Sequence, residues 1–522
     1  MTTSKNTAHW TLEALAQAGV KHIVFSPGSR NAPLIIAAEA LGTFEMMVLG
    51  DERSAAFHAL GRSQVTEAPV AICCTSGSAL ANYYPAVLEA YYAHVPLIVL
   101  SADRPEERIN KGEGQTCVQR EFYEPHVAAS VQLHEEDCYE QVQAALQYAL
   151  QAMHFEMRPI HLNMAFDEPL YEQGEAPKSI QLNSPDDIVT KYGLPMSPNF
   201  PLLEGAESVA VIAGQLSPKD SQAVRAVLEA EVNWTLFADP MSGVLDHRSA
   251  VRLEEIMHHR PKAIISIGGQ WINKKPKQYL RSLGIDHHIH LDRFQCWDVL
   301  DAEVEHLRVG PDYLVNFAKA SQFIQAPKKN TIVPDLPWSD GAAFQMIVES
   351  LGTDTVLHLG NSSIARYFNY FPSPVRLYGN RGVSGIDGSL STAIGAALAD
   401  PGCAHAVILG DQSFLYDHNG LYAPELPQNL RIYVLNNGVG GIFDWLSGTA
   451  KTGSEARRVF ANAQDVDFAG LSAAFGVVYK EVSTKEALEQ ALGEVNRIEL
   501  VNCKTNQNFN LKVFKMLQDG IS

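Results

Sequence analysis

Cysteine is scarce and unpatterned in this sequence. The seven cysteines, Cys73, Cys74, Cys117, Cys138, Cys296, Cys403 and Cys503, are scattered, odd in number and never spaced as Cys-x-x-Cys. That argues against a disulfide framework or a zinc site. Adjacent Cys73 and Cys74 fall in an apolar run and read as small buried hydrophobes. No stretch approaches the ~18 uncharged apolar residues of a membrane helix. The opening Met1-Thr2-Thr3-Ser4-Lys5-Asn6 leads into a helix-like pattern without a signal-peptide core, so a cytoplasmic enzyme is expected. Positive charge is also short: 40 Lys and Arg face 59 Asp and Glu, a formal charge of −19. This opposes nucleic acid or an anionic membrane as main partner. It also makes any local cluster of arginines informative, because the cluster must create a positive pocket against the overall field.

What is present is a soluble globular composition, 46% hydrophobic and 19% charged over 522 residues, long enough for about three or four domains of roughly 150 residues. Short apolar runs end in polar turns and give way to helical stretches. Lys21-His22-Ile23-Val24-Phe25 ends at Ser26-Pro27-Gly28-Ser29. Pro69-Val70-Ala71-Ile72-Cys73-Cys74 ends at Thr75-Ser76-Gly77-Ser78, and Val95-Pro96-Leu97-Ile98-Val99-Leu100 ends at Ser101-Ala102-Asp103-Arg104. Uninterrupted apolar strands imply burial on both faces and hence parallel sheets. Polar breaks near 172–201 and 325–337 separate two further α/β units. The expected fold class is therefore α/β, with three domains, each a mainly parallel sheet flanked by helices, over 1–180, 181–330 and 331–522.

In the third of these, two apolar strands end in polar residues, one at Gly410-Asp411 and the next at Asn436-Asn437-Gly438. A parallel sheet brings both ends to the edge where ligands bind. Magnesium prefers oxygen ligands and is often shared with phosphate. Asp411 can supply a carboxylate oxygen, Asn437 an amide oxygen and Val439 a backbone carbonyl, while Gly438, Gly440 and Gly441 permit close approach. Either half alone is an ordinary cap or turn. Together they resemble the diphosphate and metal motif of thiamine diphosphate enzymes, with Gly410-Asp411-Gln412 in place of Gly-Asp-Gly. Gly410, Gln412 and Ser413 then fall on the diphosphate side.

That cofactor needs a carboxyl group, hydrogen-bonded to its pyrimidine ring in apolar surroundings, to assist proton exchange. Glu52 is the candidate, placed where the run Met46-Met47-Val48-Leu49-Gly50 hands over to the helix-like Ser54-Ala55-Ala56-Phe57. An isolated acid there reads as a helix N-terminal residue; the Asp411–Asn437 pair favours the catalytic reading.

Four runs make the resemblance specific: Ser26-Pro27-Gly28-Ser29-Arg30, Asp51-Glu52-Arg53-Ser54-Ala55, Ser101-Ala102-Asp103-Arg104-Pro105 and Gly379-Asn380-Arg381-Gly382-Val383-Ser384-Gly385-Ile386-Asp387-Gly388. Over nearly the whole chain, and in the same order, it resembles the 2-succinyl-5-enolpyruvyl-6-hydroxy-3-cyclohexene-1-carboxylate synthases, the thiamine diphosphate-dependent family of menaquinone biosynthesis. The resemblance implies decarboxylation of 2-oxoglutarate and 1,4-addition of the succinyl carbanion equivalent to isochorismate, with thiamine diphosphate and Mg2+ or Mn2+. It implies pyrimidine-binding, central and diphosphate-binding domains in that order, and a homodimer or homotetramer with active sites between subunits. Both substrates are dicarboxylates, which arginine pairs better than lysine. By resemblance, Ser29, Arg30, Arg104, Gln115, Ser362, Arg366 and Arg381 are substrate-side residues. Lys274 and Lys275 match a basic pair in the central domain, Ile386 supports the bent cofactor, and Phe443 forms an aromatic wall. Spacing puts Ser362 and Arg366 on one helical face. Two departures stand out: Gly114 where Asn is expected, and Gly441 where a larger polar residue, often Gln, is expected. Another thiamine-dependent decarboxylase or acetohydroxyacid synthase is the enzymatic alternative. The latter would bind FAD, yet the central glycines Gly214, Gly268 and Gly269 form no Gly-x-Gly-x-x-Gly fingerprint. A regulatory ligand-binding relative with a degenerate site is the non-catalytic alternative.

Overall fold

Runs such as Val70–Cys74, Val209–Ala213 and Ala263–Ile267 are buried at every position, because each lies inside a parallel sheet covered on both faces. The computed structural model describes residues 1–183, 208–230, 232–318, 322–328, 335–445, 448–493 and 497–519. Much of the polar break expected at 172–201 and the middle of that at 325–337 lie outside the described residues.

Three six-stranded sheets, parallel throughout, organise the chain. The first has the spatial order Glu45–Val48, His22–Phe25, Val70–Cys74, Leu97–Asp103, Ile160–Ala165, Ala129–His134. The second runs Ala250–Arg252, Leu236–Ala238, Val209–Ala213, Ala263–Ile267, His287–Leu291, Val304–Leu307. The third runs Arg376–Tyr378, Val356–Leu359, His405–Gly410, Leu430–Asn436, Glu499–Lys504, Val478–Val482. Ranked by chain order, the first and third sheets both read 2-1-3-4-6-5, and the second reads 3-2-1-4-5-6. In each order, connections leave in opposite directions from two neighbouring strands, which opens a crevice at their carboxyl ends. Backbones crowd there. A Cβ at Gly28 would lie 2.3 Å from Thr75 Cβ, and one at Gly214 would lie 2.1 Å from the Gly269 carbonyl oxygen. The central glycines therefore serve close packing of strand ends.

The strand Leu97–Asp103 extends through the Ser101–Asp103 stretch expected as a turn. Its polar residues are paired inside the sheet: Ser101 Oγ donates to Asn163 Oδ1 at 2.6 Å, and Asn163 Nδ2 donates to Asp103 Oδ2 at 2.9 Å. Cys73 and Cys74 are fully buried, and burial pushes the Cys73 thiol up to about 12. All seven cysteines are free thiols. No helix among the described residues is long and apolar enough to cross a membrane.

By packing, the chain forms two units. One is Met1–Tyr192 with Gly382–Gly402 and Tyr416–Pro427; the other is Gly193–Arg381 with Cys403–Leu415 and Gln428–Ser522. The first thus owns helix Ser389–Ala399, which comes from the stretch expected as the third domain. That helix lies directly on helix Glu52–Thr66: a Cβ at Gly61 would sit 1.9 Å from the Thr392 carbonyl oxygen, and one at Gly395 would sit 2.0 Å from that of His58. The pair touches backbone to backbone, and only glycine allows it.

Candidate active site

In the first unit, Asp51 caps helix Glu52–Thr66 by accepting from Ser54 N at 3.2 Å, which fixes Glu52 as its first residue. The Glu52 carboxylate is half-buried and accepts from Asn82 Nδ2 at 3.1 Å. It lines a cavity of about 520 Å³ together with Gly50, Asp51, Arg53, Asn82, Asn419 and Tyr422. Asn419 in turn donates to Asp51 Oδ2 at 2.7 Å. The surroundings of Glu52 within this unit are therefore polar, in contrast to the apolar site expected. Two asparagine side chains from segments distant in sequence line it.

The same unit gathers Arg30 and Arg104 at the carboxyl edge of its sheet. Arg30 Nη1 donates to the Phe166 carbonyl at 3.0 Å, and its Nη2 lies 3.3 Å from Glu168 Oε1. Its Nε is buried without a hydrogen-bond partner. Arg104 Nη1 donates to Ser76 Oγ at 2.7 Å and to the Gln115 carbonyl at 2.8 Å. Burial, then the neighbouring Arg104 guanidinium, pushes the Arg30 pKa down. Arg30 and Arg104 are both half-buried, and a pair of neighbouring guanidiniums suits an anion. Gln115 is held at φ 54° and its side chain is exposed, as is Ser29; Gly114 is exposed, with open space where a Cβ would point. Ile386 also belongs to this unit and is 40% exposed.

In the second unit, strands His405–Gly410 and Leu430–Asn436 are hydrogen-bonded neighbours with Gly410 opposite Leu435. This brings Asp411 and Asn437 to one sheet edge. The helix expected near 417–423 begins earlier, as Asp411–Asp417, followed by a 3-10 turn at His418–Tyr422. Asp411 is 3% exposed. Its Oδ1 accepts from Gln412 N at 2.8 Å and its Oδ2 from Gln464 Nε2 at 3.0 Å, yet burial still pushes its pKa up to about 6. Asn437 donates through Nδ2 to Asp340 Oδ2 at 2.8 Å, and its Oδ1 accepts from Val439 N at 3.1 Å. The Val439 carbonyl accepts from Gly441 N at 2.8 Å. A Cβ at Gly410 would meet nothing within 4 Å, so space adjoins the strand end. Gln412 pairs with Asn462 through both ends of its amide, and Ser413 is buried.

Among the described residues no three His, Cys, Asp or Glu side chains converge to hold a metal ion. The donors at this edge are one carboxylate, one amide oxygen and one backbone carbonyl. That set fits a hard cation that completes its shell with phosphate oxygens and water.

Ser362 and Arg366 do not share a helical face as expected. Ser362 precedes the short helix Ser363–Tyr367 at φ 70°, and Arg366 Nη1 folds back to donate to the Ser362 carbonyl at 2.5 Å. A non-glycine residue at such an angle is strained, a condition that collects at functional sites. Arg381 is 8% exposed and donates to Asn361 Oδ1 at 2.7 Å. Burial, then Arg381, lowers the Arg366 pKa. Asp239, fully buried and accepting from Met241 N and Ile272 N, feels the Arg381 charge, and burial raises its pKa to about 6. Lys274 and Lys275 are exposed on helix Lys274–Leu283. Lys277 is the half-buried lysine of that helix and interacts electrostatically with Asp239 and Arg381. Helix phase was the available signal: Lys277 adjoins the buried stripe of Pro276 and Leu280.

Phe443 lies 5.3 Å, ring to ring, from Phe460. At Gly441 an added Cβ would come within 2.5 Å of Gln507 Oε1, and Gln507 Nε2 donates to the Gly441 carbonyl at 3.1 Å and to Asp444 Oδ2 at 2.8 Å. An amide from another helix thus fills the place where a side chain at 441 was expected.

The chain is similar to known proteins at two levels. A model of the thiamine pyrophosphate enzyme N-terminal TPP binding domain covers residues 5–124, and one of the C-terminal TPP binding domain covers residues 358–501. The class is that of thiamine diphosphate-dependent enzymes. The chain is 35% identical to the 2-succinyl-5-enolpyruvyl-6-hydroxy-3-cyclohexene-1-carboxylate synthase of Flavobacterium psychrophilum over 460 residues, 82% of this chain and 83% of that one. It is 32% identical to the protein of the same name from Cytophaga hutchinsonii over 98% of both chains. The chain belongs to the 2-succinyl-5-enolpyruvyl-6-hydroxy-3-cyclohexene-1-carboxylate synthase family. A thiamine diphosphate-dependent 4-hydroxybenzoylformate decarboxylase from Rhodococcus jostii RHA1 shares the fold, with a TM-score of 0.73 and 19% identity over 96% of this chain and 99% of that chain.

Proposed function

We propose that this protein decarboxylates 2-oxoglutarate and adds the resulting four-carbon unit in 1,4 fashion to isochorismate, giving 2-succinyl-5-enolpyruvyl-6-hydroxy-3-cyclohexene-1-carboxylate for menaquinone biosynthesis. The observation that carries it is the near-full-length similarity to synthases of that name, in a chain with Asp411 and Asn437 side by side at a sheet edge. Bound thiamine diphosphate would supply a nucleophilic carbon to attack the keto carbon and a cationic ring to take up the electron pair left when carbon dioxide departs. Glu52 would hold a proton toward the pyrimidine ring nitrogen of the bound cofactor, as a general acid and base. Asp411, Asn437 and the Val439 carbonyl would hold Mg2+ or Mn2+, and Gly410, Gln412 and Ser413 would lie on the diphosphate side. Ile386 would support the bound cofactor, and Phe443 would wall the substrate.

Arg30, Arg104, Arg366 and Arg381 bind the substrate carboxylates, with Ser29, Gln115 and Ser362 as polar partners; Lys274 and Lys275 contribute at most outer charge. Arg381 is buried and the other three are half-buried, which suits this task because an arriving carboxylate gains a charge-assisted bond. In this reading residues 1–180, 181–330 and 331–522 are the pyrimidine-binding, central and diphosphate- and metal-binding domains. The protein works in the cytoplasm as a homodimer or homotetramer with active sites between subunits. Met46 and Val48, exposed on the edge strand Glu45–Val48 of the unit that carries Glu52, support a subunit surface there. Mass spectrometry after incubation with both substrates tests the reaction: equimolar carbon dioxide and adduct are expected. Carbon dioxide release without adduct would refute the carboligation.

A further inference from the structure

The side-chain amide of Asn437 has two ends of nearly equal shape, and only the oxygen can ligate a cation. What holds that end in place is visible. Nδ2 donates to Asp340 Oδ2 at 2.8 Å, and Oδ1 accepts from the Val439 N–H at 3.1 Å. A backbone N–H only donates, so the Val439 contact fixes which end of the amide is the oxygen and leaves Nδ2 to donate to Asp340. The backbone contact uses one acceptor site of the amide oxygen and leaves the other free.

Asp340 is itself firmly placed. It is the first residue of helix Asp340–Ser350, capped by Ser339, whose Oγ accepts from Ala342 N. It is 2% exposed. Its Oδ1 accepts from Thr505 Oγ1 at 2.5 Å, and its own N–H donates to Asn510 Oδ1 at 2.8 Å. Among the described residues no lysine, arginine or histidine is ion-paired with Asp340 or with Asp411. Two buried carboxylates that feel each other's charge therefore stand at one sheet edge without a protein cation.

We infer that Asp340 is a positioning residue which, through the hydrogen bond to Asn437 Nδ2, turns the Asn437 amide oxygen toward a divalent cation shared with Asp411. This rests on the metal reading proposed above. Partners that orient a ligand in this way typically govern metal affinity by roughly 10- to 100-fold.

Mn2+ titration followed by the free-ion electron paramagnetic resonance signal, at saturating thiamine diphosphate, tests it. Asp340→Ala is expected to bind Mn2+ at least about tenfold more weakly, with substrate KM values unchanged once excess metal is supplied. Asp340→Asn keeps an acceptor but loses the charge that strengthens the bond, so a loss of roughly threefold or more is expected. Mn2+ affinity of Asp340→Ala within twofold of wild type would overturn the inference. Should circular dichroism show Asp340→Ala unfolded, unchanged affinity in Asp340→Asn overturns it instead. Wild-type protein that binds no Mn2+ would remove the metal reading itself, a distinguishable result.

Discussion

Removing the charge of Asp411 should make the cofactor-free protein more stable while abolishing its response to metal. Burial raises the Asp411 pKa from 3.8 to about 6. The folded pKa lies above the unfolded one, so the native state holds a proton that the unfolded chain has released. The penalty is fully present above about pH 6 and is relieved as pH falls from there toward the unfolded value. About two pH units at 1.36 kcal/mol each correspond to roughly 3 kcal/mol. Asp411→Asn preserves the shape and the bond from Gln412 N, but it sets an amide NH2 against Gln464 Nε2, which costs about 1 kcal/mol. The variant should therefore gain about 1–2 kcal/mol at pH 8, a rise of roughly 1–2 °C in melting temperature. The gain should vanish below about pH 5, where the wild-type group is also protonated. Melts in EDTA, with and without added Mg2+ and thiamine diphosphate, read both effects. A cofactor-free variant less stable than wild type at pH 8, or one that keeps the full metal-dependent shift, would refute the reasoning.

Two further substitutions separate chemistry from binding. Glu52→Gln can still accept from Asn82 and fills the same space, and Asp51 still caps the helix, so cofactor binding followed by fluorescence should be retained. Turnover should fall by about 10²- to 10⁴-fold; near-normal turnover would take the proton role away from Glu52. Arg381→Met removes a buried cation bonded to Asn361, and kcat/KM for a dicarboxylate substrate should drop roughly 10- to 100-fold. Unchanged values for both substrates would exclude Arg381 from carboxylate binding.

Sheet interiors were legible because burial on both faces writes itself as uninterrupted apolar runs, as at Val70–Cys74 and Ala263–Ile267. The Asp411–Asn437 pairing was legible because parallel strands end on one edge, a rule that needs no coordinates. What stayed hidden depends on contacts across long sequence separations. Asp340 reaches Asn437 over 97 positions, and Asn82 and Asn419 come from different segments to make the surroundings of Glu52 polar. Lys277 differs from Lys274 and Lys275 only in helix phase, and a run of three lysines around a proline does not reveal which one faces inward. Ser362 carries no composition signal for its positive φ; glycine would have announced it.

The proposed reaction joins two particular substrates, and one absorbance measurement tests both. Purified protein with thiamine diphosphate, Mg2+ and isochorismate should leave isochorismate unchanged until 2-oxoglutarate is added, then consume it. Equal consumption with pyruvate, or none with 2-oxoglutarate, would contradict the assignment.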